Sequence, residues 1–120
     1  MNKYYAIFTV GVVLVSGCST PQGVRNTYPS GEFSSTKSPQ ELVTCIDRNT
    51  DGSYLNTLAT SVKPVGDNNF EIVVRNGNST YAMIEIAPLK SENSVATIRL
   101  SGRASLTPKT VMNKMTDGCS

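Results

Sequence analysis

Three cysteines, at positions 18, 45 and 119, constrain this chain more than any other residue type. In an oxidising compartment thiols tend to pair, so even counts are expected. Three is odd. One cysteine is therefore unpaired, bonded to another molecule or committed to different chemistry. How the three divide decides how much of the chain is free to fold and what ties it together. Cys18 stands apart from the other two, beside the most apolar stretch of the sequence.

That stretch has an ordered plan. Met1-Asn2-Lys3 carries one positive side chain, Ala6 to Val15 is mostly apolar, and Ser16-Gly17 are small. These are the successive regions of a secretory signal. The apolar part is too short for a transmembrane helix, which needs about 20 residues. Leu14-Val15-Ser16-Gly17-Cys18 then resembles the lipobox of bacterial lipoproteins, with the aliphatic slot at Val15 and small residues at Ser16 and Gly17. The resemblance covers the first 18 residues only. It implies diacylglycerol on the Cys18 sulfur, cleavage before Cys18, and acylation of the new amino group, palmitate being the expected chain. One acyl chain anchors weakly, at about 0.8 kcal/mol per buried methylene, whereas three hold a protein on a membrane durably. Ser19, where an Asp would retain the protein at the inner membrane, points to the outer membrane and the periplasm. The competing reading is an ordinary cleaved signal with Cys18 left as a thiol.

With Cys18 assigned to lipid by that resemblance, Cys45 and Cys119 remain as an even pair. The expectation is one intramolecular disulfide, against intermolecular pairing or metal binding as alternatives. A zinc site takes about four ligands, mostly Cys and His, and this chain has no histidine. A Cys45–Cys119 bridge closes a loop of about 75 residues and restricts the unfolded chain by about 4–5 kcal/mol.

The remaining sequence divides by composition. Residues 18–37 are expected to be the lipidated N-terminus and a flexible tether, since Ser, Thr, Pro and Gly make up 11 of the 19 residues from Ser19 to Lys37. Such a tether reaches about 20–26 Å. Residues 38–120 are expected to form one small domain. Ser38-Pro39-Gln40-Glu41 spells a helix start, and Leu42, Cys45 and Ile46 share one face of a helix over 39–48. Strands follow at Leu58–Val62, Phe70–Val74, Tyr81–Ile86 and Val95–Leu100. A second helix opens at Thr107-Pro108, with Val111, Met112 and Met115 as its apolar stripe. The expected fold is a two-layer α+β domain: about four antiparallel strands, flanked by N- and C-terminal helices and stapled by one disulfide.

The Asn76-Gly77-Asn78 turn tests the register. A two-residue loop would pair Ile72 with Tyr81 and leave Ile84 and Ile86 on the wrong face. A three-residue loop pairs Ile72 with Ala82 and Phe70 with Ile84. It gathers Phe70, Ile72, Val74, Ala82, Ile84 and Ile86 on one side. Glu71, Glu85 and Arg99 then face water, and Tyr81 with Met83 forms a small patch there.

The chemistry-bearing motifs are weak. Asp47-Arg48-Asn49-Thr50-Asp51-Gly52 matches the opening of a calcium loop, but the twelfth position, which needs a bidentate Glu, is Leu58. Ser34-Ser35-Thr36-Lys37 spells the S-x-x-K of penicillin-interacting enzymes without the partner motifs S-D-N and K-T-G. No catalytic residue, metal ligand or cofactor site is therefore expected. With 11 basic and 9 acidic residues, a formal charge of +2, nothing favours nucleic acid. Arg75, Arg99, Arg103, Lys109 and Lys114 are spread among acids, as on a solvated surface. The expectation is a non-enzymatic, lipid-anchored envelope protein, a protein-interaction or structural module. Its partners are the membrane and another envelope protein. The alternative is a periplasmic small-ligand carrier or enzyme inhibitor.

Overall fold

Among the described residues, three helices, each begun by a proline, and five strands form. The structure is a computed structural model and describes residues 20–53 and 57–120. In chain order these are α1 (Pro21–Arg25), β1 (Gly31–Ser35), α2 (Pro39–Thr50), β2 (Leu58–Gly66), β3 (Asn69–Asn76), β4 (Ser79–Pro88), β5 (Ser94–Leu100) and α3 (Pro108–Met115). Short 3₁₀ turns precede and follow β5. The strands form one antiparallel sheet, ordered β1-β5-β4-β3-β2.

The α+β class expected from the sequence is the fold observed, with five strands instead of four. The extra strand comes from the stretch expected to be a tether. Within it, Thr20 caps α1 by accepting from the Gly23 N–H at 3.0 Å, and β1 pairs with β5 from Gly31↔Ile98 to Ser35↔Ser94. Composition misled because small residues suit this position. A Cβ built on Gly31 would collide with the Met112 methyl of α3. That methyl ends a flexible side chain that can shift aside, so glycine suits the position without being required there.

The other expected elements form. Ser38 and Glu41 make a full capping box at the start of α2, with the Glu41 N–H donating to Ser38 Oγ at 3.3 Å and the Ser38 N–H to Glu41 Oε1 at 3.2 Å. Leu42, Cys45 and Ile46 are buried, as are Val111 and Met115 of α3. Thr107 stands at the N-cap of α3 but makes no capping hydrogen bond through its side chain.

The hairpin register differs from that expected. Ile72 pairs with Ile84 and Phe70 with Ile86, and the loop has two residues, Gly77 and Asn78. A bulge inserts Tyr81 between the Arg75↔Thr80 and Val74↔Ala82 pairs. That extra residue reverses the face on which the following side chains lie, so the expected apolar set still ends on one side. Ile72, Val74, Ala82, Ile84, Ile86, Ala96, Ile98 and Leu100 line it, covered by α2 and α3 in a single core. Tyr81 turns to that core and is half-buried against it.

The opposite face is also partly covered. α1 packs over β4 and β5 there. Val24 of α1 and Met83 of β4 are both buried outside the main core. Met83 and Tyr81 therefore make no exposed patch. Glu71, expected in water, is 5% exposed. The Arg25 guanidinium reaches it with hydrogen bonds of 3.0 and 3.3 Å, and Lys63 lies 3.7 Å away. Ion pairing lets the carboxylate lie beneath α1 while keeping hydrogen-bond partners.

Candidate functional site

The cysteines expected to bridge do so. Cys45 of α2 and Cys119, just beyond α3, form a disulfide across 74 positions of sequence, with Cα atoms 5.7 Å apart. Polar contacts reinforce the junction. Asn49 Nδ2 donates to the Met115 and Asp117 carbonyls at 3.0 and 2.8 Å, and Ser35 Oγ donates to the Cys119 carbonyl at 2.5 Å. The bridge thus joins both helices of one layer and, through Ser35, the edge strand β1. Cys18 lies outside the described residues.

The calcium-like segment serves the same framework. Asp47 accepts a hydrogen bond from Thr60 Oγ1, and Asp51 Oδ1 accepts from the Thr60 N–H at 3.1 Å. The three side chains that would open a calcium loop, Asp47, Asn49 and Asp51, instead tie the end of α2 to β2 and to the α3 terminus. Among the described residues, no three His, Cys, Asp or Glu side chains cluster as metal ligands. Ser34 of the S-x-x-K motif sits exposed on β1, while the adjoining Ser35 hydroxyl is used structurally. Glu71 and Glu85 are cross-strand neighbours. Each has its own cation, Arg25 with Lys63 for Glu71 and Arg99 for Glu85.

A groove lies elsewhere, at the end of the sheet where β3 and β5 finish and β2 and β4 begin. Its volume is about 590 Å³, and it is lined by Thr57, Leu58, Asn76, Ser79, Thr80, Tyr81, Ser101, Gly102, Thr107 and Val111. Its walls are set by local sequence. The Tyr81 bulge swings the start of β4, the Gly77 turn carries positive φ, and Gly102, also at positive φ, opens the turn after β5. Ser101 holds the floor together, its N–H donating to the Tyr81 carbonyl at 3.0 Å and its hydroxyl to the Thr80 carbonyl. Thr107, whose side chain makes no cap hydrogen bond to α3, is also part of the lining. Hydroxyls and one amide line the site, with Leu58, Val111 and the Tyr81 ring as apolar surface, and no described lining residue is ionisable near neutral pH. Such a surface can hold an uncharged polar chain by hydrogen bonds and ring contact.

Sequence reasoning missed this groove, because its described residues come from or beside β2, β3, β4, α3 and the 3₁₀ turn after β5, and none forms a motif. The available signals were the Asn-Gly-Asn turn and the Ser101-Gly102 break after β5. No family model, curated protein or solved structure matches this chain. Among the described residues, no helix is long and apolar enough to cross a membrane.

Proposed function

We propose that this is a lipid-anchored, non-enzymatic protein of the cell envelope, held on the outer membrane by acylated Cys18 and facing the periplasm. Its domain serves as a protein-interaction module that receives an uncharged segment of another envelope protein in the hydroxyl-lined groove. The observation carrying this reading is the lining itself: among its ten described residues none is a carboxylate, amine, guanidinium or thiol. The lipobox resemblance and the disulfide, which suits an exported protein, support the location.

A second reading, a carrier of a small neutral ligand, is favoured by the groove volume, which falls within the range of about 300–1,000 Å³ common for small-molecule sites. Crosslinked capture from the native envelope separates the two. A stoichiometric protein partner, lost in Ser79→Trp, supports the first reading. Retention of small molecules alone overturns it in favour of the second. Ser79 is exposed at the groove wall, so the indole fills the groove without entering the core.

A further inference from the structure

The face of the sheet that carries α1 holds a second depression, of about 420 Å³, whose lining includes Pro21, Arg25, Lys63, Glu71 and Arg75. These residues are far apart in sequence, and the sheet gathers them. Arg25 and Lys63 both pair with Glu71, whose side chain is 6% exposed, while their own side chains remain 38% and 63% exposed. Arg75 is exposed and makes no ion pair among the described residues. Three cations against one carboxylate leave the cleft with two positive charges in excess. The other half of this face, with Arg99, Glu85 and Glu32, has no such excess. Beside α1, the loop after it carries Tyr28, 95% exposed, and is fixed to this face by Arg99 Nε donating to the Thr27 carbonyl at 3.1 Å.

Chain length decides what lies opposite. Pro21 is part of the cleft lining, and only Ser19 and Thr20 separate it from Cys18. Fully extended, that connection spans about 10 Å. The Debye length at physiological salt is about 8 Å, so a cleft held at most about 10 Å away lies at roughly one Debye length or less from an anionic bilayer, where part of the surface potential persists. A tether extending to Lys37 would have left it well beyond.

We propose that this face docks on the anionic headgroups of the membrane that holds the Cys18 acyl chains. Arg25, Lys63 and Arg75 meet phosphates, and Tyr28 sits at headgroup level, where amphipathic rings are favoured. The inference rests on the lipid-anchor reading. It gives the groove, at the end of the sheet, an orientation lateral to the bilayer.

The test uses the mature acylated protein reconstituted into vesicles. One set is zwitterionic, and the other contains about one-third anionic phospholipid. A membrane-impermeant amine reagent is applied and labelling is mapped by peptide mass spectrometry, with intact mass measured on the same sample. Docking slows labelling of Lys63 about five-fold or more in anionic vesicles, in line with the contribution of one basic side chain at such a surface. Lys109, exposed on α3 of the opposite layer, labels equally in both. High salt restores Lys63 labelling, and so does Arg75→Glu, at an exposed position outside the core. Equal Lys63 labelling in both vesicles, with acyl mass present, overturns docking and leaves the anchor intact. Equal slowing of Lys63 and Lys109 overturns the choice of face. Absence of acyl mass overturns the anchor reading, and this one with it.

Discussion

Single side chains decide two features of this protein. The first is Glu71, a carboxylate placed under a helix by the alternation of β3. Its two cations lie partly in water, so the pair is weaker than a fully buried one, but removing the charge leaves Arg25 facing an unpaired site. Glu71→Gln is expected to cost about 1–2 kcal/mol, read as a lower urea midpoint at unchanged slope. Glu85→Gln, at a more exposed pair, is expected to cost less than about 1 kcal/mol. Equal costs would mean that α1 does not shield Glu71. The second is Cys18. If it carries the anchor, Cys18→Ala abolishes palmitate labelling and leaves unprocessed or soluble protein; persistent labelling would refute the lipid assignment.

At the scale of elements, α2 shows how a cap becomes a pH dependence. The Ser38 N–H donates to the Glu41 carboxylate, and with the Ser38 hydroxyl this holds the Glu41 pKa below its ordinary value. A lowered folded-state pKa stabilises the charged form. The gain is complete above the ordinary carboxylate value and is lost as pH falls through the lowered one. Stability curves of wild type and Glu41→Gln should therefore differ near neutrality and converge in acid. Ser38→Ala should cost about 1 kcal/mol in thermal or urea unfolding. The same grammar explains which elements are legible in the sequence. Ser38-Pro39 and Thr107-Pro108 each signal a helix, and each opens one. Thr20-Pro21 has the same form, yet the Ser- and Gly-rich composition around it outweighs the signal and hides α1. Gly31-Glu32-Phe33-Ser34-Ser35 carries one large apolar residue, too few for periodicity to speak, and β1 forms because β5 offers it an edge. The alternating sets of β3, β4 and β5 are legible because burial against α2 and α3 tolerates no polar substitute. The bulge at Tyr81 is not, since one inserted residue leaves no mark on composition. The groove is illegible for a related reason, its lining being assembled from strand ends. Amide hydrogen exchange checks the new strand: residues 31–35 should exchange with the sheet, and random-coil rates there would restore the tether.

For the molecule as a whole, the governing fact is that a small core is closed from both ends by one covalent tie. α2 precedes the main run of strands and α3 follows it, yet they share a layer, and Cys45–Cys119 joins them there. Both sulfurs are buried in the same core cluster as Ile46, Ile84 and Met115. Two effects therefore add when the bridge is removed. The unfolded chain regains the freedom of a loop of 74 positions, worth about 4 kcal/mol, and two small gaps open in the core. Domains of this size hold about 5–15 kcal/mol in total, so the loss is a large share. Cys45→Ala/Cys119→Ala should remain folded at low temperature, kept by the sheet and by Asn49 and Ser35 at the same junction. Its urea midpoint should fall steeply. Its slope should rise, because the uncrosslinked unfolded chain exposes more surface. Reduction of the wild-type protein should reproduce both changes without the packing loss, so the difference between the two measures the gaps alone. An unchanged midpoint after complete reduction would mean that the polar contacts at the junction, rather than the sulfurs, hold the two helices together.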